Sequence, residues 1–375
     1  MRFTVSKSAI IQLIQTVSKA VAVRTTKQVL SGILLEANET KLVATAYDLE
    51  LGIQNVVLSN DDSNLRVEET GAIVLPARYF SDVIKKLPND TISIRVDNNY
   101  MTEIKSGSAE FHLHGIDATE FPKLPTFLGT VPVTISSDVL KELIRTTAFA
   151  TSNSEVRPIL TGIFLQYQNN KLTFTATDGL RLATQSIGLQ DASDRDWSAV
   201  IPGKSLLELA KILPENETPV TVQFTESHSL FAIQNTHFYT RLIDGTYPDT
   251  SRIIPNQYKT EVIVPTEDIL GAIDRAALIA PSRENHMVRL EINETDIIVS
   301  SSSPEIGNVV EKLICSSKEG PDIQIAFNAR YVIDALRALD SGDLSIQFNS
   351  SNQPFVLRKH KNEFGLQLIS PVLWR

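Results

Sequence analysis

The sequence predicts an α+β protein made of three tandem copies of one domain, each with two helices packed on antiparallel sheets. Six segments carry apolar residues at i, i+3, i+4 and i+7, the spacing of a helix with one buried face. The odd-numbered stripes begin at residues 10, 140 and 269, and the even-numbered ones at 80, 206 and 332. Spacings of 126 to 130 residues are those of a domain and not of a solenoid repeat.

Short motifs repeat at the same spacing. The even-numbered helices are introduced by Leu75-Pro-Ala-Arg78, Ile201-Pro-Gly-Lys204 and Phe327-Asn-Ala-Arg330. Phe121-Pro122 and Tyr247-Pro248 each open a proline-rich stretch suited to a linker. These boundaries predict domains at residues 1–128, 129–255 and 256–375.

A hairpin is predicted at the centre of the chain. Leu172, Phe174 and Ala176 alternate with threonines, and Asp178-Gly179 supplies a turn. The first copy of this stretch reads Asp48-Leu49 at the turn and lacks the glycine. Since glycine has no side chain, we expect Gly179 to let a partner's backbone approach closely, a requirement that Leu49 does not share.

The charge distribution allows two interpretations. A net charge of -9 argues against a protein that grips nucleic acid over its whole surface. The six helical segments nevertheless carry a net +4, and the rest of the chain carries -13. Either exposed helix faces favour Lys and Arg, or the helices turn toward one polyanion and contact its phosphates without reading sequence.

Composition limits the location and the cofactors. Hydrophobic residues at 42% with 21% charged residues are typical of a globular protein, and no apolar run is long enough to span a bilayer. The start, Met1-Arg2-Phe3, is strand-like, so we expect a cytoplasmic protein without membrane contact. Cys315 is the single cysteine, which excludes an intrachain disulfide. His112 and His114 are too few for a metal site, and we expect neither metal nor cofactor.

Catalytic constellations are not found in the sequence. Gly203-Lys204-Ser205 resembles the end of a phosphate-binding loop, but Ser198 stands where that loop needs glycine. Asp48 and Asp178 are the candidates for a hydrolase, yet each follows a strand at a turn, where Asp is the usual structural choice. We therefore expect no catalytic residue.

The motifs closely resemble those of the bacterial sliding clamps, the beta subunits of DNA polymerase III. The resemblance covers the whole chain and rests on Phe3-Thr-Val, Leu75-Pro-Ala-Arg78, Ala176-Thr-Asp-Gly-Leu-Arg-Leu-Ala183, Asp244-Gly-Thr-Tyr-Pro-Asp249, Phe327-Asn-Ala-Arg-Tyr-Val-Ile-Asp334 and Leu368-Ile-Ser-Pro-Val372. It implies a non-catalytic processivity factor. Two chains would form a head-to-tail homodimer, a ring of six domains whose helices line a hole around duplex DNA without sequence specificity.

The resemblance also implies a groove for a short peptide carried by the replicative DNA polymerase, the clamp loader and repair proteins. Matching positions that would build this groove are Leu160, Thr177, Gly179, Leu180, Arg181, Leu182, Pro248, Arg252, Ile253, Asn328, Tyr331, Leu368, Ser370, Pro371 and Val372. Leu180 stands where some relatives have histidine. The tail Leu373-Trp374-Arg375 extends beyond the matching text, and Trp374 would be either a groove wall or a loose terminus.

Two further sets of residues follow from the resemblance. Arg24 and Arg78 match positions that face DNA, and the repeat adds Lys204 and Arg330. Phe111, Leu278 and Ile279 match the apolar part of the dimer interface, whereas Ser108 and Glu110 stand where some relatives carry arginine. The alternatives are a monomeric peptide-binding hub that does not encircle DNA and a hydrolase that uses Asp48 or Asp178.

Overall fold

The computed structural model describes residues 1–60, 62–189, 196–281 and 286–373. The chain folds into two compact units. The first unit combines Met1–Asp138 with Lys211–Leu242, and the second combines Val139–Ala210 with Ile243–Arg375. No helix within the described ranges is long and apolar enough to cross a membrane.

The six helices predicted from the apolar stripes are present. They are α1 (Lys7–Val17), α2 (Ala77–Lys86), α3 (Ser137–Thr147), α4 (Gly203–Ala210), α5 (Thr266–Ala277) and α6 (Ala329–Ala338). In α1 the stripe Ile10-Leu13-Ile14-Val17 is buried, and the Ser6 side chain caps the first turn by accepting from the Ala9 N–H. The stripe of α4 ran to Leu213, but the helix ends at Ala210, because Pro214 disfavours helical backbone just before it.

The strands fill the rest of each copy. The first third holds β1 (Arg2–Ser6), β2 (Gly32–Asn38), β3 (Lys41–Tyr47), β4 (Leu51–Leu58), β5 (Arg66–Glu69), β6 (Gly71–Pro76), β7 (Thr91–Val96), β8 (Met101–Ser106) and β9 (Ala109–His114). The second holds β10 (Val133–Ser136), β11 (Gly162–Gln168), β12 (Lys171–Thr177), β13 (Arg181–Gly188), β14 (Trp197–Pro202), β15 (Pro219–Phe224), β16 (His228–Ile233) and β17 (Thr236–Arg241). The last holds β18 (Thr260–Pro265), β19 (Met287–Ile292), β20 (Asp296–Ser303), β21 (Gly307–Ile314), β22 (Ser317–Glu319), β23 (Ile323–Asn328), β24 (Asp343–Phe348), β25 (Phe355–Lys359) and β26 (Gly365–Ile369).

Neighbouring copies share sheets. In the first unit, β17 of the second copy pairs with β4 of the first, so that one sheet runs β10-β15-β16-β17-β4-β3-β2-β6. In the second unit, β26 of the third copy pairs with β13 of the second inside the sheet β14-β11-β12-β13-β26-β25-β24-β18-β22. The sequence period revealed the three copies, but it did not reveal that their edges join.

Within the described ranges, two strands that correspond to these joining strands have no such partner. β9, the counterpart of β17, ends the sheet β5-β1-β7-β8-β9. β21, the counterpart of β4 and β13, ends the sheet β21-β20-β19-β23. Both carry exposed apolar side chains, with Phe111 39% exposed on β9 and Val310 66% exposed on β21.

Each unit has a core between helices and sheet. In the second unit, Ile269 and Ile273 of α5 and Leu336 of α6 pack with Phe327 and Phe355 from the strands in one buried cluster. Burial of such side chains is the main favourable term in folding. This core places the start of α6 beside the turn between β12 and β13.

Candidate functional site

The turn from Thr177 to Arg181 is held by its own side chains. Asp178 Oδ1 accepts from the backbone N–H groups of Leu180 (2.9 Å) and Arg181 (3.0 Å). Thr177 Oγ1 donates to the Arg181 carbonyl (2.6 Å) and accepts from the Gly179 N–H (3.1 Å). The carboxylate therefore works as a structural turn residue. Asp48 does the same in the first copy, accepting from Glu50 and Leu51 at 2.9 and 2.7 Å.

Gly179 has a local reason that the sequence argument did not include. Its φ is +94°, in the left-handed region that favours glycine, and a Cβ built there would meet no atom within 4 Å. Leu49 has a φ of +81° at the same place in the first copy. The turn shape is therefore shared by both copies, and close approach of a partner is not needed to explain the glycine.

Arg181 is a wall of the site and not a free cation. The residue is 8% exposed. Its Nε donates to Asp178 Oδ2 at 3.0 Å, and its Nη1 donates to Asp334 Oδ2 at 2.7 Å. The guanidinium lies over the rings of Tyr331, 4.7 Å from the centroid, and Phe149, 5.4 Å from the centroid. The turn is thus fixed to α6 by charge and by stacking.

The second linker is fixed to the same turn by Tyr247. Its hydroxyl accepts from the Thr177 N–H at 3.1 Å, and its ring stacks on Phe164 with centroids 5.2 Å apart. Burial raises the pKa of Tyr247 well above the ordinary value of a phenol, so the hydroxyl stays neutral. Leu160 and Val200 complete a small apolar cluster with this ring.

Beyond Tyr247 the linker is exposed. Pro248, Arg252 and Ile253 lie on its surface, and Ile253 is 49% exposed. Arg252 pairs with Asp249 at 3.1 Å and touches no other predicted groove residue through a polar contact among those described. Leu180, 54% exposed, is the other large apolar side chain presented near the turn.

The chain's tail closes the site. The Ser370 N–H donates to the Leu180 carbonyl at 2.9 Å, and the Val372 N–H donates to the Ala326 carbonyl at 2.8 Å, with Pro371 between them. Beneath the tail, Leu182 and Leu368 are buried in one cluster with Ile254 against it. At the start of α6, the Asn328 side chain caps the helix by accepting from the Arg330 N–H. Trp374 lies outside the described residues.

Most of the predicted groove residues therefore meet in the second unit. Sequence reasoning missed Phe149, Asp334 and Tyr247, which hold the others in place. The sequence did contain a signal for Tyr247, because the dipeptide Tyr247-Pro248 repeats Phe121-Pro122 and marks the linker. Asp334 and Phe149 carried none, because a surface Asp on a helix and a Phe in a short 3-10 turn (Ala148–Ala150) are common.

The predicted DNA-facing residues occupy related positions within their own units. Arg78, Lys204 and Arg330 are each the second residue of an even-numbered helix, and each is exposed. Arg24 is exposed in the loop after α1. Among the described residues, none of these four takes part in an ion pair.

The predicted interface residues are also accessible. Phe111 is 39% exposed on β9 in the first unit, and Leu278 is 78% exposed directly after α5 in the second. Ile279 beside Leu278 is half-buried.

One group of side chains could hold a metal ion. The ligand atoms of Glu103, Glu110 and His112 on β8 and β9 lie within 4.8 Å of one another. Lys105 Nζ already lies 2.9 Å from Glu103 and 3.4 Å from Glu110. An ion would have to displace this ammonium.

Comparisons with known proteins agree with this fold along the whole chain. Models of the DNA polymerase III beta subunit match its N-terminal domain at residues 1–125, its central domain at 134–249 and its C-terminal domain at 251–373. The beta sliding clamp of Bacillus subtilis is 43% identical over 375 residues, covering 99% of each protein.

Solved structures give the same result. A Bacillus subtilis DNA polymerase sliding clamp matches with a TM-score of 0.97 at 42% identity, covering 100% of both chains. A Pseudomonas aeruginosa sliding clamp bound to griselimycin matches with a TM-score of 0.93 at 28% identity, also over 100% of both chains.

Proposed function

The chain belongs to the DNA polymerase III beta subunit family, the beta sliding clamps, and we propose how its own residues carry out that function. A clamp of this family is a non-catalytic processivity subunit of the polymerase. Membership implies association with polymerase and DNA, and dimerization into a ring is typical of the family. The domain boundaries 1–128, 129–255 and 256–375 are part of the proposal, and the matched ranges support them.

The peptide groove is proposed at the Thr177–Arg181 turn, and one observation carries this assignment. The turn, the second linker, the start of α6 and the tail are tied together by hydrogen bonds, while Leu180 and Ile253 stay exposed above buried apolar clusters. Such a surface suits a short peptide that inserts apolar side chains. Two or three buried side chains at roughly 1.5 to 3 kcal/mol each supply about 3 to 9 kcal/mol before association costs, so we expect an affinity no tighter than about micromolar. Partners can then exchange.

The replicative polymerase, the clamp loader and repair proteins are the proposed cytoplasmic partners, each using this groove. Griselimycin, which is bound in the Pseudomonas aeruginosa structure, is proposed to occupy the same groove here.

Deletion of residues 371–375 tests the groove. The deletion removes the hydrogen bond from the Val372 N–H to the Ala326 carbonyl, together with the end of the tail. The dissociation constant of griselimycin, measured by fluorescence titration, should therefore rise at least about tenfold. Leu278→Ala, outside the proposed groove, is the control and should bind as the unchanged chain does. Equal binding by the deletion variant would show that the groove is elsewhere.

A head-to-tail dimer is proposed from β9 and β21, the two strands that end their sheets where the corresponding strands pair with a neighbouring copy. β17 pairs with β4, and β26 pairs with β13, so the same rule joins β9 of one chain to β21 of the next. Hairpin registers place Phe111 at the position of Phe238, and Val309 at the position of Ile53. Because Phe238 pairs with Ile53, Phe111 should pair with Val309 of the partner subunit.

A charge placed in this joint tests it. Phe111→Asp should leave a monomer in sedimentation velocity, because a carboxylate would be buried without a partner. Tyr79→Asp, which is exposed on α2, is the control and should remain dimeric. A dimeric Phe111→Asp variant would contradict the strand pairing.

Weak contact with DNA is proposed for Arg24, Arg78, Lys204 and Arg330. Few, exposed cations contact phosphates without reading sequence, and such contacts permit sliding. The ring supplies retention. A clamp loaded on circular plasmid should remain bound and should be lost after linearisation. Equal retention on both forms would favour the monomeric peptide-binding hub, and nuclease or phosphatase activity lost in Asp178→Asn would favour the hydrolase.

A further inference from the structure

We infer that Asp334 of α6, which lies outside the proposed groove set, is the positioning residue that holds Arg181 as a wall of the groove whose positive charge is offset inside the protein. The inference rests on the proposed groove at the Thr177–Arg181 turn. The state of Arg181 affects which peptide side chains the groove can recognise. With two carboxylates against its one positive charge and only 8% of the residue exposed, Arg181 does not offer an ion partner to an acidic side chain of a peptide.

Two carboxylates hold the guanidinium. Asp178 reaches the guanidinium from the turn, but its Oδ1 is already used by two backbone N–H groups of that turn. Asp334 reaches it from the helix at 2.7 Å. This is the one hydrogen bond that the Asp334 side chain makes among the described residues.

Asp178 holds the guanidinium at Nε, so Asp334 supplies a second anchor at the Nη end. Tyr331 and Phe149 fix the plane, at 4.7 and 5.4 Å from the guanidinium carbon. The carboxylate of Asp334 holds the Nη end, because Nη1 donates to it at 2.7 Å. Tyr331 and Asp334 are three residues apart on α6, so the ring and the carboxylate come from one helix face.

The pair is particular to the junction between the second and third copies because of the arginine. An acidic residue stands at the same place in all three even-numbered helices, as Asp82, Glu208 and Asp334. The position of Arg181 is Leu51 in the first copy. An acidic residue at this helix position is therefore ordinary by itself. It gains a positioning role where Arg181 lies beside it.

Neutralisation of Asp334 tests the inference. Asp334→Asn should weaken griselimycin binding about fivefold to tenfold, the size of one ordinary net hydrogen bond, by fluorescence titration. Asp334→Glu should restore most of the affinity. The melting temperature should stay within about 2 °C of the unchanged chain, because Asp334 is 43% exposed.

A matched control and a double variant separate positioning from contact. Asp274→Asn removes an exposed carboxylate that pairs with Arg337 at 3.3 Å and should bind griselimycin normally. In an Arg181→Met background, Asp334→Asn should cause no further loss, because the residue acts through Arg181.

Three results would overturn the inference. In the first, Asp334→Asn binds griselimycin as well as Asp274→Asn does. In the second, Asp334→Asn loses the same affinity in the unchanged chain and in the Arg181→Met background, which would make Asp334 a direct contact. In the third, melting curves show that Asp334→Asn unfolds the second unit. Failure of the groove itself looks different, because Arg181→Met and the deletion of residues 371–375 would then also bind normally.

Discussion

The turns at Asp48 and Asp178 share one backbone conformation but differ in the side chains around them. In both, the Asp side chain accepts from two following N–H groups, and the next residue has a left-handed backbone. They differ where β4 and β13 begin, since Leu51 and Gly52 in the first copy stand in the places of Arg181 and Leu182 in the second.

The linker explains the difference. A Cβ on Gly52 would lie 3.0 Å from Leu124 Cδ2 and 3.1 Å from Tyr47 Cδ2, so Leu124 of the first linker fills the space above the strand. In the second copy Leu182 fills that volume from the strand itself. The second linker is left with Ile253 exposed. A shared turn thus becomes a closed surface in one copy and a candidate groove in the other.

The largest expected effect comes from giving the second copy the residue of the first. Leu182 is 1% exposed, so Leu182→Gly should lower the free energy of unfolding of the second unit by about 4 kcal/mol, through the cavity and the added backbone freedom. Urea denaturation, monitored by hydrogen exchange, measures this free energy of unfolding. Leu207→Ala, at a site 44% exposed, is the control, and an equal loss in both variants would argue against a special role for Leu182.

The reverse exchange should cost less. Gly52→Leu would crowd Leu124 and Tyr47 and should destabilise the first unit by about 2 kcal/mol in the same assay. Leu124→Ala should recover part of this loss, because it vacates the space that the new side chain needs. If the second substitution instead adds its own cost, then Leu124 does not occupy this space.

A smaller effect is expected at the left-handed residue. Leu49→Gly should stabilise the first unit by about 1 kcal/mol, since glycine adopts a φ of +81° without strain. Gly179→Ala should destabilise the second unit by about the same amount, although its Cβ would meet no neighbour. Thermal melting of both variants checks the opposite signs, and equal signs would refute the shared turn conformation.

The smallest expected effect is on pH dependence. Burial lowers the pKa of His237, whose counterpart in the second shared sheet is Leu366. The folded state therefore resists a proton that the unfolded chain accepts below about pH 6.5, so the first unit should lose stability as pH falls from 7 to 5. His237→Leu should reduce this slope in urea titrations, and exposed His114→Gln should not. An unchanged slope in His237→Leu would assign the acid sensitivity to other groups.

Much of the fold could be predicted because helix stripes are a local property. The spacing of Ile10, Leu13, Ile14 and Val17 specifies a buried face without reference to the rest of the chain. The pairing of β17 with β4 could not be predicted, since alternating strands show that they have partners but not which strand is the partner.

The candidate site divides in the same way. The Asp178-Gly179 turn was readable from its residue types. The burial of Arg181 was not, because it depends on Asp334, which is 153 residues away in the chain. The resemblance to known clamps supplied the members of the proposed groove, but only the structure supplied the network that holds these residues together.

The shared sheets have a consequence for anyone who wishes to study one domain at a time. A fragment cut at residue 128 would expose the edge of β4, and a fragment beginning at 129 would expose the edge of β17. Bare edges recruit further strands, so such fragments should self-associate or precipitate during expression. The repeat that is plain in the sequence is therefore the wrong guide for dissecting this chain, and each cut has to preserve the strand pairs that cross from one copy to the next.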